Sequence, residues 1–84
     1  ADMPTCELTD DDFREGTIDI LDILHKSGLA GSRSEARRNV EQGGVSVDGN
    51  AVNDVKAVFA KESLEGEGVV VKRGKKKFVK VIAK

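Results

Sequence analysis

Between Ser32 and Gly49 the chain carries a helix start, a helix stop and a hairpin turn in close succession, and few folds accommodate all three. Ser32 followed by Glu35 is a capping-box spacing, in which each side chain satisfies an orphan N–H of the first helical turn. Ala36 and Val40 give the helix a thin apolar stripe, and Gly43-Gly44 ends it. Val45-Ser46-Val47 and Asn50-Ala51-Val52 then flank Asp48-Gly49, a pair suited to a two-residue hairpin turn. A short helix locked between a cap and a hairpin is a rigid carrier for whatever side chains it displays.

It displays arginines. Arg33 and Arg37 are four apart and share a face, with Arg38 round the side. Guanidinium forks match phosphate oxygens bidentately and stay charged at every relevant pH. An exposed helix with Arg37 paired to Glu41 is the plainer reading of the same residues. A second cluster, Lys72-Arg73-Gly74-Lys75-Lys76-Lys77, tips that balance. One or two lysines blunt a sheet edge against unwanted pairing, but five cations in six residues exceed that need. Lysines position a polyanion rather than read its sequence.

The net charge of −1 conceals this segregation. Residues 1–24 hold eight acids against Arg14 alone, whereas residues 69–84 hold seven cations and no acid. Such polarity suggests a polyanionic partner on one side. Eighty-four residues make one domain with one modest core. With 4% aromatics and no Trp or Tyr, that core is built from Val, Leu, Ile and three Phe. A large internal active-site cavity is not expected there.

Upstream, residues 4–8 read as a short strand and Thr9-Asp10-Asp11-Asp12 as a brief helix start. From Thr17 the spacing of Ile18, Leu21 and Leu24, widened by Ile20 and Ile23, predicts a helix stopped at Gly28. Between residues 55 and 64 the pattern fixes no element, and Val58 and Phe59 are read as core. Residues 69–72 and 76–82 are expected strands of a basic hairpin.

Catalytic chemistry is not legible. His25 has no metal-spaced partner and is expected to meet the negative end of its helix. Cys6 is alone in acidic surroundings, which rules out an internal disulfide and disfavours a reactive thiolate. No cofactor or metal is expected, and no apolar run approaches the ~20 residues of a membrane span.

Helix, tight connection, Ser32-Arg33-Ser34-Glu35-Ala36-Arg37, Gly43 and Val45-Ser46-Val47-Asp48-Gly49 together resemble the RNA-binding domain named after ribosomal small-subunit protein four. Val69-Val70-Val71-Lys72-Arg73-Gly74-Lys75-Lys76-Lys77-Phe78 is similar to the C-terminal end of bacterial tyrosyl-tRNA synthetases. The resemblance implies an α+β fold with two helices packed on one side of a small mixed sheet, plus a short extra helix near the N-terminus. It implies a single RNA-binding domain over residues 1–84, with a core motif at 18–52 and a basic hairpin at 69–82, cut from a longer cytoplasmic, homodimeric ligase. Its RNA-contacting residues would be Lys26, Ser32, Arg33, Ser34, Arg37 and Arg38, joined by Lys72, Arg73, Lys75, Lys76 and Lys77. The partner implied is tRNA, gripped at the anticodon stem and long variable arm.

Two departures stand out. Where many such domains begin the first helix with Arg-Leu-Asp, this chain has Asp19-Ile20-Leu21. Asp48 replaces the usual turn Asn and brings an anion near the proposed surface. The alternatives are the same module from another ribosome-associated or RNA-modifying protein, or a protein-interaction module for an acidic partner.

Overall fold

The computed structural model describes residues 4–74 and 76–83. Strands β1 (Thr5–Leu8) and β2 (Thr17–Asp19) are separated by a single 3₁₀ turn at Asp10–Asp12, and helices α1 (Ile20–Lys26) and α2 (Arg33–Glu41) follow. Then come β3 (Val45–Val47), β4 (Asn50–Ala51), β5 (Val58–Ala60), a one-turn helix α3 (Lys61–Leu64), β6 (Val69–Arg73) and β7 (Lys77–Ala83). Five strands form one sheet in the order β1-β7-β6-β3-β4, with β1 parallel to β7 and every other pair antiparallel. β2 and β5 make a separate antiparallel ribbon.

Strand alternation decides the core face. Val45, Val47, Val69, Val71, Val79 and Val81 are buried, while the residues between them look outward. Ile20, Ile23 and Leu24 of α1, Ala36 and Val40 of α2, and Leu64 of α3 complete a single cluster with them. The fold is the expected α+β arrangement of helices and mixed sheet.

Two local expectations are corrected. The helix predicted from Thr17 begins at Ile20, because Thr17–Asp19 pairs with Val58–Ala60. Asp19 ends the extended run: its backbone is extended and its Oδ1 accepts the Asp22 N–H at 2.8 Å, which makes it the N-cap of α1. Ile18 is buried from the strand, so the apolar spacing looks helical in either case. Val58, read as core, is instead 60% exposed; it stands opposite Asp19, and only its neighbour Phe59 packs against the cluster.

Both turn regions behave as their chemistry requires. Ser32 Oγ accepts the Glu35 N–H at 3.2 Å, but Glu35 reaches back to the N–H of Gly31, at 3.1 Å, rather than to that of Ser32. The cap is therefore reciprocal across one residue more than the standard box. At the hairpin, Asp48 and Gly49 both have positive φ, 50° and 84°, as a primed turn demands. Asp48 is not a loose anion: its Oδ1 accepts the Val70 N–H at 2.9 Å and its own N–H donates to the Val70 carbonyl at 2.8 Å. These two bonds fasten the β3–β4 turn to β6.

Candidate nucleic-acid interface

The cations expected at the interface fall into two populations, separated by what already holds them. Arg33 opens α2, and its guanidinium bonds Asp19 Oδ2 at 3.1 Å and also meets Asp22. The two carboxylates come from the first turn of α1 and its cap, so Arg33 clasps α1 to α2. Lys26 ends α1 and pairs with Asp12 of the 3₁₀ turn at 2.6 Å. That bond, with the Thr9 backbone N–H on the same carboxylate, holds the Asp12 carboxyl below its ordinary value of 3.8. Ser32 caps its helix, and Ser34 is exposed on the first turn.

The second population is less encumbered. Arg37 approaches Glu41 loosely, 3.8 Å apart with both side chains mostly exposed, a geometry worth little in water. Arg38, Arg73, Lys76 and Lys77 have no carboxylate partner among the described residues. Lys72 has none either, and its ammonium sits 5.3 Å from the centroid of the Phe78 ring, across the strand pair. Lys75 lies outside the described residues.

Backbone connections bring these residues to one end of the molecule. Asn39 of α2 accepts the Gly44 N–H at 3.0 Å, and Gly44 in turn accepts the Gly74 N–H at 2.7 Å. Val45 pairs with Arg73 directly beyond. The last turn of α2, with Arg38 in it and Arg37 just before it, therefore meets the tip of the β6–β7 hairpin through two glycines. The Arg73 Nε is buried and has no hydrogen-bond partner among the described residues. Lys26 and Arg33 stand apart, beside a cleft lined by Asp12, Arg14, Asp19 and Asp22.

The neutralisation of Lys26 and Arg33 was not visible in the charge count, because their carboxylates arrive from other elements. Ser46, Phe78 and Lys80 lie on the outer sheet face, as the alternation of Val69 to Arg73 and Lys77 to Ala83 requires. Among the described residues no group of three or more His, Cys, Asp or Glu is placed to hold a metal ion. No helix among them is long and apolar enough to cross a membrane.

Residues 1–81 match the sequence profile of the tyrosine–tRNA ligase SYY-like C-terminal domain. The chain belongs to that family. Within this C-terminal-domain family, it is 40% identical over 81 residues to a tyrosine–tRNA ligase of Treponema denticola, covering 95% of this chain and 20% of that protein. A tyrosine–tRNA ligase of Lachnoclostridium phytofermentans is 43% identical over 77 residues, covering 90% of this chain and 18% of the relative. One from Clostridium botulinum is 34% identical over 82 residues, covering 98% and 19%. The chain thus spans about a fifth of the length of the curated relatives it matches.

Proposed function

We propose that this domain binds tRNA for a tyrosine–tRNA ligase, gripping the folded RNA by its backbone and performing no chemistry itself. The observation that carries the reading is the sorting of cations by availability. Arg37, Arg38, Lys72, Arg73, Lys76 and Lys77 gather where α2 meets the hairpin tip, with weak or no carboxylate competition among the described residues. Lys75 joins them by its place in the sequence. Cations of this kind displace the counterions condensed on the RNA phosphates, and their release is the main source of backbone affinity. Lys26, Arg33, Ser32 and Ser34 form a secondary set, because Lys26 and Arg33 reach phosphate only by giving up Asp12, Asp19 or Asp22.

Structured RNA is recognised largely by shape and by phosphate and 2′-OH contacts, which suits a rigid end built from helix, turn and hairpin. In the ligase, the module orients the anticodon stem and variable arm so that the acceptor end meets an active site in the rest of the enzyme. The test is the salt dependence of tRNA binding by the triple variant Lys75→Gln/Lys76→Gln/Lys77→Gln. Three lost phosphate contacts flatten the slope of log K against log salt by about 2 to 3 units. An unchanged slope overturns the assignment of the tip.

A further inference from the structure

The outward face of the five-stranded sheet shares Lys72 with the interface above, and around that residue it has the makings of a second contact. Because Val45, Val47, Val69, Val71, Val79 and Val81 point into the core, Ser46, Val70, Lys72, Phe78 and Lys80 project from the opposite side. In register, Lys72 stands between Ser46 and Phe78, and Val70 lies opposite Lys80. Phe78 is 38% exposed, one of two large apolar side chains so left among the described residues. A shallow groove runs from Ser46, Ala51 and Lys72 to the backbone of Gly43, Gly44 and Gly74, and no carboxylate lines it. Lys72 and Lys80 have no ion-pair partner, and the Ser46 hydroxyl no hydrogen-bond partner, among the described residues. Glu7 lies farther out on the same sheet, on β1 opposite Ile82.

An exposed aromatic alone would need no explanation. An aromatic set between two uncommitted lysines, beside an acid-free groove with glycine backbone, matches the requirements of an unpaired nucleotide. We infer that this face seats one unpaired nucleotide of the bound RNA, its base on the Phe78 ring and its phosphate between Lys72 and Lys80, with the Ser46 hydroxyl as a polar contact in the groove. Duplex RNA keeps its bases stacked away from such a ring, and a base-free polyanion would engage the lysines alone. Lys72 now covers the ring; base stacking is the stronger of the two contacts, so the ammonium moves from ring to phosphate on binding. The inference rests on the RNA-binding reading and adds a contact to it.

The chain contains no Trp or Tyr, so Phe78→Trp installs a single indole reporter at the proposed seat. A short oligouridylate produces a saturable loss of its emission, and heparin, which has charge but no bases, does not. In the otherwise unchanged protein, Phe78→Leu keeps an apolar side chain but removes the stacking surface, and weakens oligouridylate binding at least about fivefold with the unfolding midpoint unmoved. Equal quenching by heparin overturns the base seat. Failure of both the quenching and the Phe78→Leu effect, while tRNA still binds, overturns this inference and spares the RNA-binding reading. Absence of tRNA binding altogether removes both. Should the indole perturb the fold, the Phe78→Leu affinity decides alone.

Discussion

Asp19 performs two separable tasks, and two substitutions take them apart. Its Oδ1 caps α1 by accepting the Asp22 N–H, while its Oδ2 accepts from the Arg33 guanidinium. Asp19→Asn keeps a first-rank cap and removes the charge; Asp19→Ala removes both. The cap is worth about 1 kcal/mol. The ion pair is partly solvated, with side chains 31% and 50% exposed, and Arg33 retains Asp22, so the charge contributes about 0.5 kcal/mol. For a domain of this size each kcal/mol moves the midpoint by about 4–8 °C. Thermal unfolding followed by far-ultraviolet circular dichroism should therefore show losses of about 2–4 °C for Asp19→Asn and about 6–12 °C for Asp19→Ala. At 1 M salt, where the screening length falls to about 3 Å, the Asn deficit should close while the gap between the two variants persists. If Asp19→Asn costs as much as Asp19→Ala, or the gap itself collapses in salt, the division of labour is wrong.

Other consequences follow from single positions. Gly68 has φ +72° and a Cβ there would fall inside contact distance of the Val81 carbonyl oxygen and Ile82 Cγ1, so Gly68→Ala should cost more than about 2 kcal/mol. An unshifted urea midpoint would refute that close approach. Burial pushes the Cys6 thiol up, with Asp12 adding to the effect and Lys26 opposing it, and its S–H lies 3.5 Å from the Lys26 carbonyl. Alkylation at pH 8 should be slower in the folded protein than in denaturant, and faster reaction would contradict it. Because the Asp12 carboxyl titrates below its ordinary 3.8 when folded, its stabilisation is complete above that value and is lost as pH falls through the lowered one. Asp12→Asn should accordingly flatten the acid decline of the thermal midpoint, and an unaltered decline would show that the Lys26 pair is inert.

What the sequence made legible was what local chemistry controls. Ser32, Glu35, Gly43 and Asp48-Gly49 act within a few residues of themselves, so α2 and the β3–β4 hairpin could be placed from the chain alone. Ile18, Leu21 and Leu24 misled, because a strand running into a helix reproduces helical spacing when the strand's partner, Val58–Ala60, lies far along the chain. The same distance hid the exposure of Val58. The family was readable from residues, but the availability of its cations was not. Asp19 and Asp22 disarm Arg33 only once α1 and α2 pack, and Asp12 reaches Lys26 only through the 3₁₀ turn. Phe78 was obscured by the basic run beside it, and only the register of β6 against β7 shows it paired with Lys72.

The most direct test of the central claim is titration of this 84-residue chain with tyrosine tRNA and with the same tRNA trimmed of its variable arm. The account predicts tighter binding to the intact tRNA, with the advantage lost on trimming. Equal, weak and salt-quenched binding to both would contradict it, leaving a surface that attracts polyanions without recognising the shape of this RNA.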